Sequence, residues 1–124
     1  MLRKTLPENL ISKGWIGFDL DGTLAIYTCW QGPTHIGEPI QPMVDKVKQL
    51  LAIGTEVRIF TARVCSQTSE EEKAQAIEAI NKWCVKYIGQ KLPITSEKDW
   101  NMIEYYDDRA VSVDYNTGII KGAC

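Results

Sequence analysis

Two carboxylates two residues apart, Asp19 and Asp21, follow an apolar run, Trp15-Ile16-Gly17-Phe18, and lead into Gly22-Thr23-Leu24. Like charges this close are unfavourable unless a cation or a proton separates them. The economical explanation is a divalent metal, with one carboxylate left to act on a substrate. On a strand, side chains at i and i+2 share a face. A strand running through Leu20 would aim both carboxylates the same way. A strand ending between them would still leave both at its C-terminal mouth, where open α/β sheets bind ligands.

The elements that must position these groups can be read from pattern. The apolar run predicts a short buried strand, and Gly22-Thr23 a turn. Residues 25–40 hold Tyr27, Trp30, Gly32, Pro33, Gly37 and Pro39, a composition for an irregular loop or small hairpin. Pro42 opens a helical pattern with Met43, Val44, Val47, Leu50 and Leu51 at helical spacing, and Gly54 suits the position just past its end. Residues 57–60 predict a second strand, ending at Thr61. Ser69-Glu70-Glu71-Glu72 is a capping box. The helix it starts carries Ala76, Ile77, Ile80, Cys84, Tyr87 and Ile88 on one side, with Ile77, Ile80 and Cys84 as a core stripe. Residues 92–95 and 103–106 predict two further strands, the last ending at Asp107 and Asp108. This order predicts an α/β domain, a Rossmann-like three-layer sandwich with a mainly parallel sheet and right-handed crossovers. Asp19, Thr61 and Asp107 then each follow a strand end, and in a parallel sheet those ends share one edge.

At 124 residues the chain suits a single domain, 1–124, with residues 24–40 as a flap. The net charge of −2 argues against a protein that grips nucleic acid through its phosphates. Four cysteines without CxxC spacing and a lone histidine, His35, cannot complete a usual zinc set. They read as reduced thiols in a cytoplasmic protein. Residues 1–13 show no leader pattern, and no apolar run reaches membrane-spanning length.

With these elements in order, the sequence resembles the haloacid dehalogenase-like (HAD) superfamily of phosphohydrolases. Asp19-Leu20-Asp21-Gly22-Thr23 matches the DxDGT motif, Phe60-Thr61-Ala62-Arg63 looks like the second motif, Lys98 is placed as the third-motif lysine, and Asp107-Asp108 looks like the fourth. The resemblance covers residues 15–114. It implies Asp19 as nucleophile, forming an aspartyl-phosphate. Asp21 would protonate the leaving oxygen and then deprotonate the hydrolytic water. Thr61 and backbone amides would hold the phosphoryl group, and Lys98 would neutralise its charge. Asp19, the Asp21 carbonyl and Asp107 or Asp108 would hold Mg²⁺. Gly22, Ala62 and Arg63 are further candidate substrate contacts. An aspartate at position 21 favours phosphoryl transfer over dehalogenation. About 40 residues separate Asp21 from Thr61, and the predicted helix uses many of them. The layout therefore resembles small capless members, such as short phosphatase-like proteins of bacteria and phages.

Each residue also has a plainer role. Asp19 to Thr23 alone would make a capped turn, and Thr61 is an ordinary strand end. Lys98 could be a surface lysine in the Glu97-Lys98-Asp99 turn, with Lys91 its nearest competitor. Asp107 is slightly favoured over Asp108 as the metal ligand. Arg63 and Arg109 are by default surface ion pairs, with a phosphate contact as the alternative for Arg63. Trp30 and His35, with Tyr27, could line the entrance or simply pack the flap. The expected activity is Mg²⁺-dependent phosphomonoester hydrolysis of a phosphorylated small molecule rather than a nucleic acid. Oligomerisation is compatible with an open site. Alternatives are phosphotransfer through the same intermediate, a nucleotide or polynucleotide end phosphatase, and an idle metal- or phosphate-binding module.

Overall fold

The computed structural model describes residues 14–122. Residues 1–13, read above as lacking a leader, and Cys124 lie outside them. Strand β1 is Trp15–Asp19, helix α1 Gln41–Ala52, β2 Glu56–Phe60, helix α2 Glu70–Tyr87, β3 Ile94–Thr95 and β4 Met102–Tyr106. A 3₁₀ turn, Ala62–Val64, follows β2. The strands form one all-parallel sheet in the order β3-β2-β1-β4. This is an α/β Rossmann-like sandwich, and β1 is central in it.

Local chemistry accounts for the elements. Pro42 sits in the first turn of α1, where its missing N–H is not needed. Gly54 follows that helix at φ +86°, in the left-handed region that favours glycine. Ser69 caps α2 by accepting the Glu72 amide at 3.2 Å. Three glutamates in the first turn suit its positive N-terminal end.

Register fixes the faces. Ile16 pairs with Val57 and Phe18 with Ile59, so these four point to one side. They share a single buried cluster with Val44, Val47 and Leu50 of α1 and Ile80, Trp83 and Cys84 of α2. Both helices therefore cover the same face. Right-handed crossovers require this, because β1, β2 and β3 step in one direction across the sheet. The opposite face carries aromatics: Phe60 lies 6.5 Å from Trp15 and 4.7 Å from Tyr105, centroid to centroid. Gly17 leaves the space they need, since a Cβ there would meet Trp15, Met102 and Tyr105 at 3.1–3.4 Å.

The core stripe of α2 needs one correction. Its buried residues are Ala76, Ile80, Trp83 and Cys84, whereas Ile77 is 40% exposed. A helix turns about 100° per residue, so a face centred on Ala76, Ile80 and Trp83 leaves position 77 at its edge. Burial pushes the Cys84 thiol up to about 12, so it packs as a small apolar group. Cys29, Cys65 and Cys84 are free. Among the described residues no helix is long and apolar enough to cross a membrane.

Candidate active site

β1 ends at Asp19, and the chain turns at once. The Leu20 carbonyl accepts the amides of Thr23, Leu24 and Ala25, and the Gly22 amide donates to the Ala25 carbonyl at 2.8 Å. The Asp21 carbonyl is not among these acceptors. Gly22 adopts φ +92°, and a Cβ there would come within 2.6 Å of an Asp108 carboxylate oxygen. Glycine at this position therefore does two things: it makes the turn, and it lets Asp108 close against the loop.

Asp19, Asp107 and Asp108 converge, each offering a carboxylate oxygen within 4.8 Å of the others. The Thr23 hydroxyl lies 3.3 Å from Asp19 Oδ2 and 3.4 Å from Asp108 Oδ1. With one proton it can serve only one of them at a time. Asp107 accepts from the Tyr105 hydroxyl and from the Arg109 amide, both at 3.2 Å. Burial, above all, raises the Asp19 carboxyl to about 7; a hydrogen bond with Asp108 and the charges of Asp107 and Asp108 push the same way, and Thr23 opposes them. Burial and the nearby Asp19 and Asp107 charges raise the Tyr105 phenol as well. Three oxygens from carboxylates that repel one another are a hard-cation donor set, and they fit Mg²⁺.

Asp21 has a different partner. Arg63 Nε donates to its Oδ2 and Nη2 to its Oδ1, both at 2.8 Å. The Asp21 carboxylate is therefore outside the acidic cluster, and Arg63 is a buried residue rather than the surface ion pair expected as its default. The Arg63 amide donates to Thr61 Oγ1 at 3.2 Å, so Thr61 caps the 3₁₀ turn that presents the arginine.

A crevice of about 450 Å³ opens over these groups. Asp19, Asp21, Thr61, Ala62, Arg63, Asp107 and Asp108 line it, as does Trp30 of the flap. His35 is exposed and contributes its backbone carbonyl to Arg63 rather than its ring to the crevice. Lys98 is exposed and does not line the crevice. The next residue explains why. Asp99 accepts the Trp15 indole N–H at 2.8 Å, at the opposite end of β1 from Asp19. The return from β3 to β4 must run back to where parallel strands begin, and Lys98 lies on that return. Lys91 lies with Ile77 and Val85 along the outer side of α2. Among the described residues, the cations that line the crevice are Arg63 and Arg109.

Sequence reading missed Tyr105 and Glu72 as lining residues. Alternation along β4 places Tyr105 on the same side as Asp107, and the capping box locates Glu72 in the first turn of α2. Those two patterns were the available signals.

No family model matches the chain, and no curated protein does. A solved structure of a conserved protein from Bacteroides thetaiotaomicron is similar, with a TM-score of 0.52 and 22% identity over 79% of this chain and 78% of that one. At that identity the likeness concerns the fold alone.

Proposed function

We propose that the crevice is the active site of a Mg²⁺-dependent phosphomonoester hydrolase of the haloacid dehalogenase-like type. One observation carries the reading: at the end of the central strand Asp19 faces Asp107 and Asp108 within 4.8 Å, and among the described residues the ion pair at this crevice is the one between Arg63 and Asp21. Such a cluster is costly to the fold unless a cation or a proton separates the charges. Mg²⁺ held by Asp19, Asp107 and Asp108 would offset their charge and that of a phosphoryl group.

The protein's own residues supply the rest. A carboxylate oxygen of Asp19 attacks phosphorus and the bond to the leaving oxygen breaks, giving an aspartyl-phosphate. Asp21, on the same loop, gives the leaving oxygen a proton carried on an oxygen lone pair that the Arg63 fork leaves free, and later takes one back onto it from the water that opens the intermediate. Thr61 Oγ1 accepts from the Arg63 amide, so its own O–H is left to donate to a phosphoryl oxygen. Arg109, at the rim, adds positive charge where Lys98 was expected to. The flap forms one wall and no large cap intervenes among the described residues, so the leaving group meets Tyr27 and Trp30.

The test is a hydrolysis screen with Mg²⁺ over sugar phosphates, nucleotides and polynucleotide ends, with Asp19→Asn as control. Phosphate release by the native protein and none by the variant is expected. Release that survives in Asp19→Asn, or none in the native protein, would end this reading.

A further inference from the structure

We propose that Arg63 is the positioning residue of this site: one buried guanidinium holds the Asp21 carboxylate and fastens the tip of the flap beside it. The inference deepens the hydrolase reading and rests on it for the role of Asp21. Its geometric half stands independently.

The Arg63 side chain is 5% exposed and Asp21 21%. Two parallel N–H···O bonds of 2.8 Å fix the carboxylate in one plane. A fork of this shape is available to arginine and not to lysine. The same guanidinium reaches the flap. Nη1 donates to the Pro33 carbonyl at 3.1 Å, and Nη2 to the His35 carbonyl at 2.9 Å. Its centre lies 4.9 Å from the Trp30 ring centroid, a cation–π distance. Behind it, the Arg63 amide is anchored on Thr61 Oγ1.

The two ends of the flap are held differently. Its base has its own bonds: Ile26 N–H to the Glu38 carbonyl, Ile40 N–H to the Leu24 carbonyl, and the Trp83 indole to the Gly37 carbonyl. Among the described residues, every hydrogen bond from the tip, residues 30–35, to the rest of the molecule comes from Arg63. Among the described residues the Asp21 side chain makes its hydrogen bonds and ion pair with Arg63 and none with the flap. The polar path from the Asp21 side chain to the tip therefore runs through the guanidinium. The arrangement makes one unit of the group that handles the leaving oxygen and the wall the leaving group rests against.

The experiment measures hydrogen exchange of the flap amides and, in parallel, turnover of an alkyl phosphate and of 4-nitrophenyl phosphate. The proteins are the native chain, Arg63→Gln, Arg63→Lys, Asp21→Ala and the Asp21→Ala/Arg63→Gln pair, each checked for folding by circular dichroism. Loss of the bonds that hold the Pro33 and His35 carbonyls should free the turn and speed exchange of the His35 amide, which donates to the Gly32 carbonyl, by at least about tenfold. Residues 37–40 should exchange as in the native chain. Asp21→Ala should loosen the same tip, and the double variant should be no looser than Arg63→Gln. If Arg63 variants fail to fold, the Asp21→Ala protein alone still reports the coupling. In turnover, both Arg63 variants should lose more on the alkyl ester, whose poor leaving group needs Asp21, than on the nitrophenyl ester. Unchanged tip exchange in every variant would overturn the fastening. Equal losses on both esters would overturn the positioning of Asp21 and leave Arg63 a structural residue. A native protein inactive on all esters would end the hydrolase reading instead, and the exchange result would still decide whether Arg63 joins Asp21 to the flap.

Discussion

On one side of the crevice mouth Asp19 faces two more carboxylates and a shared threonine hydroxyl, and its carboxyl is raised to about 7. On the other side, two residues along, both oxygens of Asp21 lie on a buried guanidinium. The residue type is the same, and only Leu20 lies between them in the chain. The difference is where compensating charge comes from. For Asp21 the fold supplies it, as a rigid fork that also orients the group. For Asp19 the fold withholds it and leaves a space ringed by oxygen. A group compensated within the fold is held in place, and a group left uncompensated is the one that the proposed Mg²⁺ and phosphoryl group would meet.

The largest expected effect breaks the Asp19 side directly. Asp19→Asn should bring hydrolysis below roughly a hundredth of native, because the amide cannot form an acyl-phosphate. The same variant should be as stable as the native chain or more so, since it removes one of three repelling carboxylates. Turnover measured beside thermal melting checks both. Loss of activity together with loss of fold would leave the nucleophile role unsupported.

A smaller effect concerns the ring of oxygens. Asp107→Asn and Asp108→Asn should each raise the Mg²⁺ needed for half-maximal rate by at least about tenfold, or 1.4 kcal/mol. Gly22→Ala should act in the same direction, because its Cβ would press on the Asp108 carboxylate. Mg²⁺ titrations of rate decide the matter; identical midpoints in all three would remove the metal from this cluster.

The pH dependence of stability sharpens the contrast further. Asp19 has a folded-state value of about 7, above the ordinary 3.8. A carboxyl raised on folding stabilises the protein while protonated. That contribution is complete below the unfolded value and is lost as pH rises through the folded one. Metal-free protein should therefore melt at progressively lower temperature between pH 4 and 7, relative to Asp19→Asn. Mg²⁺ should recover part of the loss above pH 7. Parallel melting curves for the two proteins across this window would contradict the raised carboxyl.

The smallest effect is expected at Lys98. Its neighbour Asp99 is tied to Trp15 at the far end of β1. Lys98→Ala should change kcat/KM by no more than about twofold, the size of an ordinary surface substitution. A hundredfold loss would mean that the segment rearranges to bring this lysine to the crevice when substrate binds.

The sequence by itself determined the elements and which residues end them. Hydrophobic period, a capping box and a glycine past α1 are local signals, and local propensity placed Asp19, Thr61 and Asp107 at the ends of β1, β2 and β4. A run of strands and helices in that order also leaves little choice but a parallel sheet. What tertiary structure alone decided were the partners. Arg63 reaches Asp21 across 42 positions because β1 and β2 are paired in register, Asp19 beside Phe60. Both helices share one face because β1, β2 and β3 step the same way, and that leaves Ile77 outside the buried stripe. Lys98 is carried away from the crevice because the return to β4 must start where β1 starts. Strand order and register set these distances, and each is a property of contacts far apart in the chain, which no local pattern of residues encodes.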